Sequence, residues 1–325
     1  MRYLIRRLGF YLVTAWAAIT LNFLIPRLMP GNPVELLISH FKGRISPAAV
    51  KSLGVLFGLN HSSMFSQYIH YWADLFHGNL GISFTYFPTP VIQVVMSALP
   101  WTAVLVGVST ILSFVIGTVV GIIVGSRRGS WLEATLPIST FFSAIPYFWF
   151  ALVILYLLAI VVQWFPLSGG YSSTSTIGWN WPFLQSAAYH AVLPAFTIVA
   201  SSIAGWLLGM RNMMIVTLNE DYIILAEAKG LSKARISFVY AARNAILPSL
   251  ASFALSLGFV VSGAILVEIV FSYPGIGYVL FAAVNNDDFP LMQGVFLVIT
   301  LAVLLANILA DVFYVLLDPR TRQDG

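Results

Sequence analysis

The sequence predicts an all-α integral membrane protein with six transmembrane helices and a small helical extracytoplasmic subdomain between the first and the second. Of its 325 residues, 59% are hydrophobic and only 9% are charged, whereas a soluble domain carries about 25% charged residues. The mean hydropathy is +0.89. Six apolar stretches have the length needed to cross a bilayer core, which takes about 20 helical residues. These proportions exclude a soluble enzyme, a disordered chain and a coiled coil.

The six predicted spans cover residues 8–28, 101–125, 137–162, 189–210, 246–271 and 292–317. The first could be a signal peptide because three arginines precede it, but its apolar run exceeds the usual length of about 7–15 residues. We therefore interpret it as a retained anchor. Residues 163–188, between the third and fourth spans, are polar but uncharged. Trp179 and Trp181 in this segment predict an outer loop at the depth of the lipid headgroups.

Basic residues set the predicted orientation. With the N-terminus inside, twelve of the sixteen Lys and Arg lie in the cytoplasm: Arg2, Arg6, Arg7, Arg127, Arg128, Arg211, Lys229, Lys233, Arg235, Arg243, Arg320 and Arg322. The other four, Arg27, Lys42, Arg44 and Lys51, lie at or in the segment 30–100. That segment is too long to report on topology, and the two short outer loops carry no basic residue. The sequence therefore predicts that both termini are cytoplasmic.

The predicted organisation has four parts. Residues 1–29 form the cytoplasmic N-terminus and the first span, and residues 30–100 form the extracytoplasmic subdomain. Residues 101–317 form a core of five spans that includes a cytoplasmic loop at 211–245, and residues 318–325 form a cytoplasmic tail.

The sequence predicts neither a catalytic residue nor a metal site. It contains no cysteine, no G-x-x-x-x-G-K-[ST] phosphate-binding loop and no H-E-x-x-H motif. Of its five histidines only His190 lies at a span, and no histidine is placed to activate a serine nucleophile. No basic run long enough for nucleic acid occurs. We therefore expect a protein that is not an enzyme and does not bind nucleic acid.

Small residues and prolines predict how the spans pack and bend. Gly117, Gly121 and Gly125 recur every four residues and predict a smooth face for close helix contact. Pro146 and Pro194 interrupt the third and fourth spans, which frees carbonyl groups that must face protein or a water-lined cavity. A translocation path and ordinary helix kinks both remain open for these prolines.

Few charged or strongly polar residues lie within the spans, and these few are informative. We expect Glu268 and Asp311 to reach the membrane interface, because a carboxylate at mid-membrane costs at least about 2.5–3.5 kcal/mol. Asn307 and Asp311 are four residues apart and share one helix face. We favour hydrogen bonds that fix neighbouring helices, and we keep Glu268 as a candidate for the translocation path. A secondary transporter would carry inverted repeats and several ionisable groups in mid-membrane, which this sequence lacks.

The cytoplasmic loop is the strongest functional feature. Residues 222–229 predict a two-turn helix, with Asp221 as the N-cap and Gly230 as the residue after the C-cap. Ser232 is placed to begin a second helix. Five apolar residues of this loop, which we call the apolar plug, are flanked by basic residues. We expect the plug to dock into a groove of a partner protein, although a helix lying on anionic lipid headgroups remains an alternative. The plug consists of Ile223, Ile224, Leu225, Ala226 and Leu231.

This loop resembles the EAA region of binding-protein-dependent ABC importer permeases, in the form used by the oligopeptide/dipeptide/nickel permease family. The matching positions in the loop are Asp221-Tyr222, Ala226, Ala228-Lys229-Gly230-Leu231-Ser232, Arg235, Ala241, Arg243-Asn244-Ala245 and Leu247-Pro248. Further matches cover the rest of the chain: Arg6-Arg7-Leu8, Pro30-Gly31-Asn32-Pro33, Gly58-Leu59, Gln67-Tyr68, Gly78-Asn79-Leu80-Gly81, Leu99-Pro100, Glu268, Phe271, Pro274-Gly275-Ile276-Gly277, Asn307, Asp311, Tyr314 and Asp318-Pro319-Arg320. Departures from the family pattern occur at Ile224, Glu227 and Tyr240.

The resemblance implies a type I ABC importer permease in the cytoplasmic membrane of a prokaryote. It also implies partners: a second homologous permease subunit forming a heterodimer, two ABC ATPase subunits that bind ATP and magnesium, an extracytoplasmic solute-binding protein, and membrane lipid. This chain would then need no cofactor of its own. Coupling to the ATPase would fall to Asp221, Tyr222, Ile223, Ile224, Leu225, Ala226, Ala228, Lys229, Gly230 and Leu231. Di- and oligopeptides are the expected substrates, with oligosaccharides and nickel chelates as alternatives.

Overall fold

The computed structural model describes residues 2–28, 63–127, 129–258, 260 and 264–317, and every long regular element in these ranges is a helix. The helices in chain order are α1 (Arg2–Leu28), α2 (Met64–Phe76), α3 (Val91–Ser126), α4 (Thr135–Ala144), α5 (Tyr147–Val161), α6 (Trp181–Thr217), α7 (Asp221–Ala228), α8 (Lys233–Ala245), α9 (Leu247–Gly258), α10 (Ile265–Val270), α11 (Ile276–Asn285) and α12 (Phe289–Leu317). Residues 30–62 of the predicted subdomain at 30–100 and the whole tail at 318–325 lie outside the described residues. The all-helical prediction is confirmed for the described residues.

Three described helices are long and apolar enough to cross a membrane, namely α3, α6 and the first part of α12, Phe289–Ile308. Two bent pairs also qualify if each pair counts as one span. The turn Trp131–Ala134 and α4 meet α5 at 96°, and α8 meets α9 at 49°. The apolar part of α1, Gly9–Ile25, is shorter. By length and composition the chain is a multi-pass membrane protein with three to five such spans among its described residues.

Two long helices begin earlier than the apolar pattern predicts. Helix α3 begins at Val91 rather than at residue 101 and passes through Pro100 without a break, because membrane helices tolerate an internal proline. Helix α6 begins at Trp181 rather than at residue 189. Its Asn180 side chain accepts a hydrogen bond from the Phe183 N–H at 3.0 Å, which is the usual N-cap arrangement. The end of the predicted outer loop is therefore helical.

Three buried apolar clusters organise the packing. One joins the start of α3 to α11 and the start of α12. The second joins the middle of α3 to α5, α6 and α10. The third joins the final parts of α3 and α6 to the short helices α7 and α8. This last cluster fixes the loop that follows α6 against the ends of two membrane helices.

Candidate translocation cavity and coupling helix

A cavity of about 540 Å³ lies between α3, the break between α4 and α5, α6, α9 and the residues just before α10. Ligand sites typically have volumes of about 300–1,000 Å³. Hydroxyl groups line it, supplied by Thr110, Ser143, Ser201, Ser202 and Ser256. Among its described lining residues there is no Asp, Glu, Lys, Arg or His. The Ser143, Ser201 and Ser256 hydroxyls already donate to protein carbonyls, so their oxygens can accept further hydrogen bonds without presenting a fixed charge.

The break between α4 and α5 forms one wall of this cavity. Ile145 and Pro146 are both extended, with ψ of 130° and 122°, because a residue before proline avoids the helical region and proline has no N–H to continue the helix. The Pro146 carbonyl accepts from the Trp149 N–H at 2.9 Å and so begins α5. Ser143 Oγ donates to the Ser201 carbonyl at 2.9 Å, which ties the end of α4 to α6.

Of the three residues expected on a translocation path, only Pro146 is among those that line the cavity. Pro194 is buried inside α6, which continues through it as one helix. Glu268 is fully buried in α10. The Glu268 side chain is therefore enclosed by the protein's own residues, and its place relative to the membrane interface stays a prediction.

Glu268 instead caps the start of α11. The Thr102 hydroxyl donates to its Oε1 at 2.8 Å, and the Gly277 N–H donates to its Oε2 at 2.6 Å. The same Thr102 oxygen accepts from the Ile276 N–H at 2.7 Å. Two of the unpaired N–H groups at the start of α11 are thereby satisfied, and the carboxyl group of Glu268 lies at the N-terminal end of that helix.

Glycine is required where α11 begins. A Cβ on Gly275 would lie 2.5 Å from Glu268 Oε2, and one on Gly277 would lie 2.6 Å from the Ile265 Cα. The run Pro274-Gly275-Ile276-Gly277 therefore lets the backbone approach the carboxylate closely.

The three glycines at spacing four lie against α6. A Cβ on Gly117 would lie 2.7 Å from the Trp206 Cβ, one on Gly121 2.7 Å from a backbone oxygen of α6, and one on Gly125 2.7 Å from the Met214 Cβ. Separations under about 3 Å do not occur between real side chains, so any larger residue would push α3 and α6 apart.

Asn307 is half-buried on α12. The side chain of Asp311 lies outside the described residues, so its pairing with Asn307 stays a prediction.

Helix α7 occupies the predicted place in the loop that follows α6. It begins at Asp221, and Glu220 rather than Asp221 is its N-cap. At its end Gly230 has a φ of +74°. The Gly230 N–H bonds the Glu227 carbonyl at 2.8 Å and the Leu231 N–H bonds the Ala226 carbonyl at 3.3 Å. These two bonds form a Schellman motif, in which glycine takes the left-handed position.

The apolar plug is divided between two faces of α7. Ile223 and Ala226 are 1% and 3% exposed and belong to the buried cluster with Met210 and Met214 of α6. Ile224 and Leu225 are 58% and 56% exposed, and Leu231 is half-buried. Ile223 and Ala226 therefore hold the helix to α6, and the docking role predicted for the loop stays a prediction. The outward face retains two large aliphatic side chains.

The outward face is fixed in position by a second contact. The Asn244 side chain of α8 donates to the Tyr222 hydroxyl at 2.8 Å. The Ser232 side chain caps α8 by accepting from the Arg235 N–H at 3.4 Å. Helices α7 and α8 thus form one unit on the ends of α3 and α6.

Sequence reasoning missed Thr102 and the hydroxyl groups of the cavity. Serines in membrane helices commonly bond to a carbonyl one turn earlier, as Ser201 Oγ does to the Thr197 carbonyl at 2.9 Å. Nothing local distinguishes a serine that also lines a cavity. The available sequence signal for the cavity was the presence of Ser201-Ser202 in α6 and of Ser143 shortly before Pro146. This signal can be interpreted only when α4 is known to pack on α6.

Comparison with known proteins identifies the family. A family model described as "Binding-protein-dependent transport system inner membrane component" matches residues 117–323. The chain is 31% identical over 319 residues to the oligopeptide transport system permease protein AppB of Bacillus subtilis, covering 98% of each chain. It is 32% identical over 337 residues to the di/tripeptide transport system permease protein DppB of Pseudomonas aeruginosa, covering 99% of each. It is 31% identical over 340 residues to the dipeptide transport system permease protein DppB of Escherichia coli K12, again over 99% of each. With its apolar helices and a match of this extent, the chain belongs to the family of binding-protein-dependent transport system inner membrane components, which are transport permeases rather than enzymes.

Proposed function

We propose that this chain is the transmembrane permease subunit of an ATP-driven importer of di- and oligopeptides. Three relatives that match it over nearly their whole length are named as peptide permeases. The cavity is compatible with such a substrate, since hydroxyl groups can bond the amide groups of a peptide backbone. A wall without fixed charge also suits substrates whose side chains vary in charge.

In this proposal six spans cross the cytoplasmic membrane of a prokaryote. They are α1, α3, the pair α4 and α5, α6, the pair α9 and α10, and α12. Both termini and the loop 211–245 lie in the cytoplasm, and residues 30–100 form an outer subdomain. The distribution of Lys and Arg supports this orientation.

The proposed complex contains a second homologous permease, so that the two form a heterodimer with the translocation path between them. Two ABC ATPase subunits bind ATP and magnesium, and an extracytoplasmic solute-binding protein delivers the peptide. The three named relatives are permease subunits of transport systems, which supports assembly with further subunits.

The observation that carries the coupling role is the division of α7 into two faces. Its inward side chains fix it to α6, so a force on α7 is transmitted to a membrane helix without passing through a flexible linker. Its outward Ile224 and Leu225 present aliphatic surface that water disfavours. We infer that this face, together with Lys229 and Gly230, docks into a groove of one ATPase subunit.

Reconstitution of the purified complex in proteoliposomes tests the proposed function. We expect labelled di- and oligopeptides to accumulate only when ATP and the solute-binding protein are both present. Oligosaccharides and nickel chelates are offered in parallel. Uptake of either in place of peptides would overturn the substrate assignment, and uptake driven by an ion gradient without ATP would overturn the ATP-driven mechanism.

A further inference from the structure

Helix α2 packs beside the last two turns of α1. The Thr20 and Tyr68 hydroxyls are hydrogen-bonded at 2.7 Å, and Arg27 Nε donates to Gln67 Oε1 at 3.1 Å. The Phe23 ring lies 5.2 Å from the Tyr68 ring in an edge-on contact. Since α1 is an apolar helix, these contacts place α2 at the level where α1 ends.

At this level α1 still presents apolar side chains outward. Leu21, Ile25 and Leu28 are 57%, 52% and 75% exposed, and they alternate along α1 with the residues that contact α2. Exposed aliphatic surface on a membrane helix is covered by lipid or by another apolar helix. Helix α2 therefore lies beside a part of α1 that is not adapted to water.

The surface of α2 is divided into three faces. At about 100° per residue, the side chains of Gln67, Tyr68 and Tyr71, which contact α1, form one face centred near Tyr71. A second face, roughly 120° away, carries the apolar residues Phe65, Ile69, Trp72 and Phe76. The third face carries the polar residues His70 and Asp74, and the C-cap residue His77 extends it; all three are exposed.

The apolar face is exposed to an extent that isolated surface residues do not explain. Phe65, Ile69 and Phe76 are 71%, 52% and 80% exposed, and their spacing of four and seven residues makes one continuous stripe. Trp72 lies within the stripe, with its ring 5.8 Å from the Phe76 ring. A helix with an apolar stripe opposite a polar face is typical of the boundary between lipid and water. Tyrosine and tryptophan side chains are also enriched at this boundary.

We propose that α2 is an interfacial membrane helix that lies against the lipid surface at the C-terminal end of α1. Phe65, Ile69 and Phe76 insert among the lipids, His70 and His77 face water, and Gln67 and Tyr68 hold the helix to α1. The helix then anchors the segment that follows the first span to the membrane surface. This inference goes beyond the peptide permease function and does not depend on it.

Site-directed spin labelling tests the proposal, and the chain offers a clean background because it contains no cysteine. Single variants Phe65→Cys, Ile69→Cys and Phe76→Cys carry a nitroxide on the apolar stripe. His70→Cys and His77→Cys are the matched controls on the polar face of the same helix. Each label is placed in the full-length chain, within the complex prepared with cysteine-free partner subunits and reconstituted in phospholipid nanodiscs.

Collision rates of each nitroxide with oxygen, which concentrates in lipid, and with a water-soluble nickel chelate distinguish the outcomes. We expect the three stripe labels to collide more with oxygen and the two control labels to collide more with the chelate, at least about threefold in each direction. Stripe labels that favour the chelate would show that water covers the stripe, and labels shielded from both reagents would show that protein covers it. Either result would overturn the proposal, whether or not the complex transports peptides.

Discussion

Replacing Ile224 and Leu225 by alanine should weaken the binding of the ATPase without unfolding α7. Complete burial of an aliphatic side chain of this size contributes about 1.5–3 kcal/mol. The two side chains are 58% and 56% exposed, so slightly more than half of that area is available to a partner. Docking therefore gains about 2–3 kcal/mol from the pair. At about 1.4 kcal/mol per factor of ten, the affinity of the ATPase should fall about 30- to 150-fold.

The choice of alanine separates docking from folding, because alanine has the highest helix propensity and both side chains point away from the protein's own core. The assay measures the equilibrium binding of the ATPase subunits to the permease in nanodiscs, together with ATP-driven peptide uptake. Glu227→Ala is the matched control, since it also truncates an exposed side chain of α7 but removes little apolar area. A single exposed charge contributes about 0–1 kcal/mol, so the control should stay within about fivefold. Equal affinity and uptake for the double variant and the parent would refute the reasoning.

Three further predictions concern the packing that supports the site, and each is checked by thermal unfolding of the purified complex. Ile223→Ala should destabilise the protein by about 2–5 kcal/mol, because it leaves a cavity in a buried cluster. An unchanged melting temperature would contradict the burial of Ile223 in that cluster. Gly121→Ala should lower the melting temperature because its Cβ would meet backbone of α6 at 2.7 Å, whereas Gly209→Ala has no neighbour within 4 Å and serves as control. Thr102→Val should cost about 1–3 kcal/mol, because it removes the hydroxyl that donates to Glu268 and leaves the Ile276 N–H without its acceptor. Thr102→Ser keeps the hydroxyl and should restore most of that stability, and equal behaviour of the two variants would contradict the capping role.

The sequence predicted the elements whose signals are local. The absence of charge marks the membrane helices, and the glycine at position 230 marks the end of α7, because only a residue tolerant of positive φ fits there. The start of one helix was predicted too late, since the apolar pattern begins the second span at residue 101 whereas α3 begins at Val91 and contains Pro100. In lipid a helix can continue through proline when neighbouring groups satisfy the backbone.

Which residues form the site depends on tertiary packing, and no local sequence pattern reveals that packing. Four consecutive apolar residues, 223–226, cannot reveal which of them face inward, and contact with Met210 and Met214 decides it. Likewise, the position of Glu268 near the end of a predicted span suggested that its side chain lies at the membrane interface. Its burial is stabilised by donors from Thr102 and Gly277, which lie far from it in the sequence or beyond a turn. Only the assembled fold brings these groups together.

Photo-cross-linking from α7 in native membranes tests the central claim most directly. The photoreactive residue p-benzoylphenylalanine is introduced in place of Leu225, which faces outward, and in separate cells in place of Ala226, which is buried. The proposed coupling predicts a covalent adduct between position 225 and an ATPase subunit, and no such adduct from position 226. Adducts from position 225 with lipid alone, or with an extracytoplasmic protein, would contradict it.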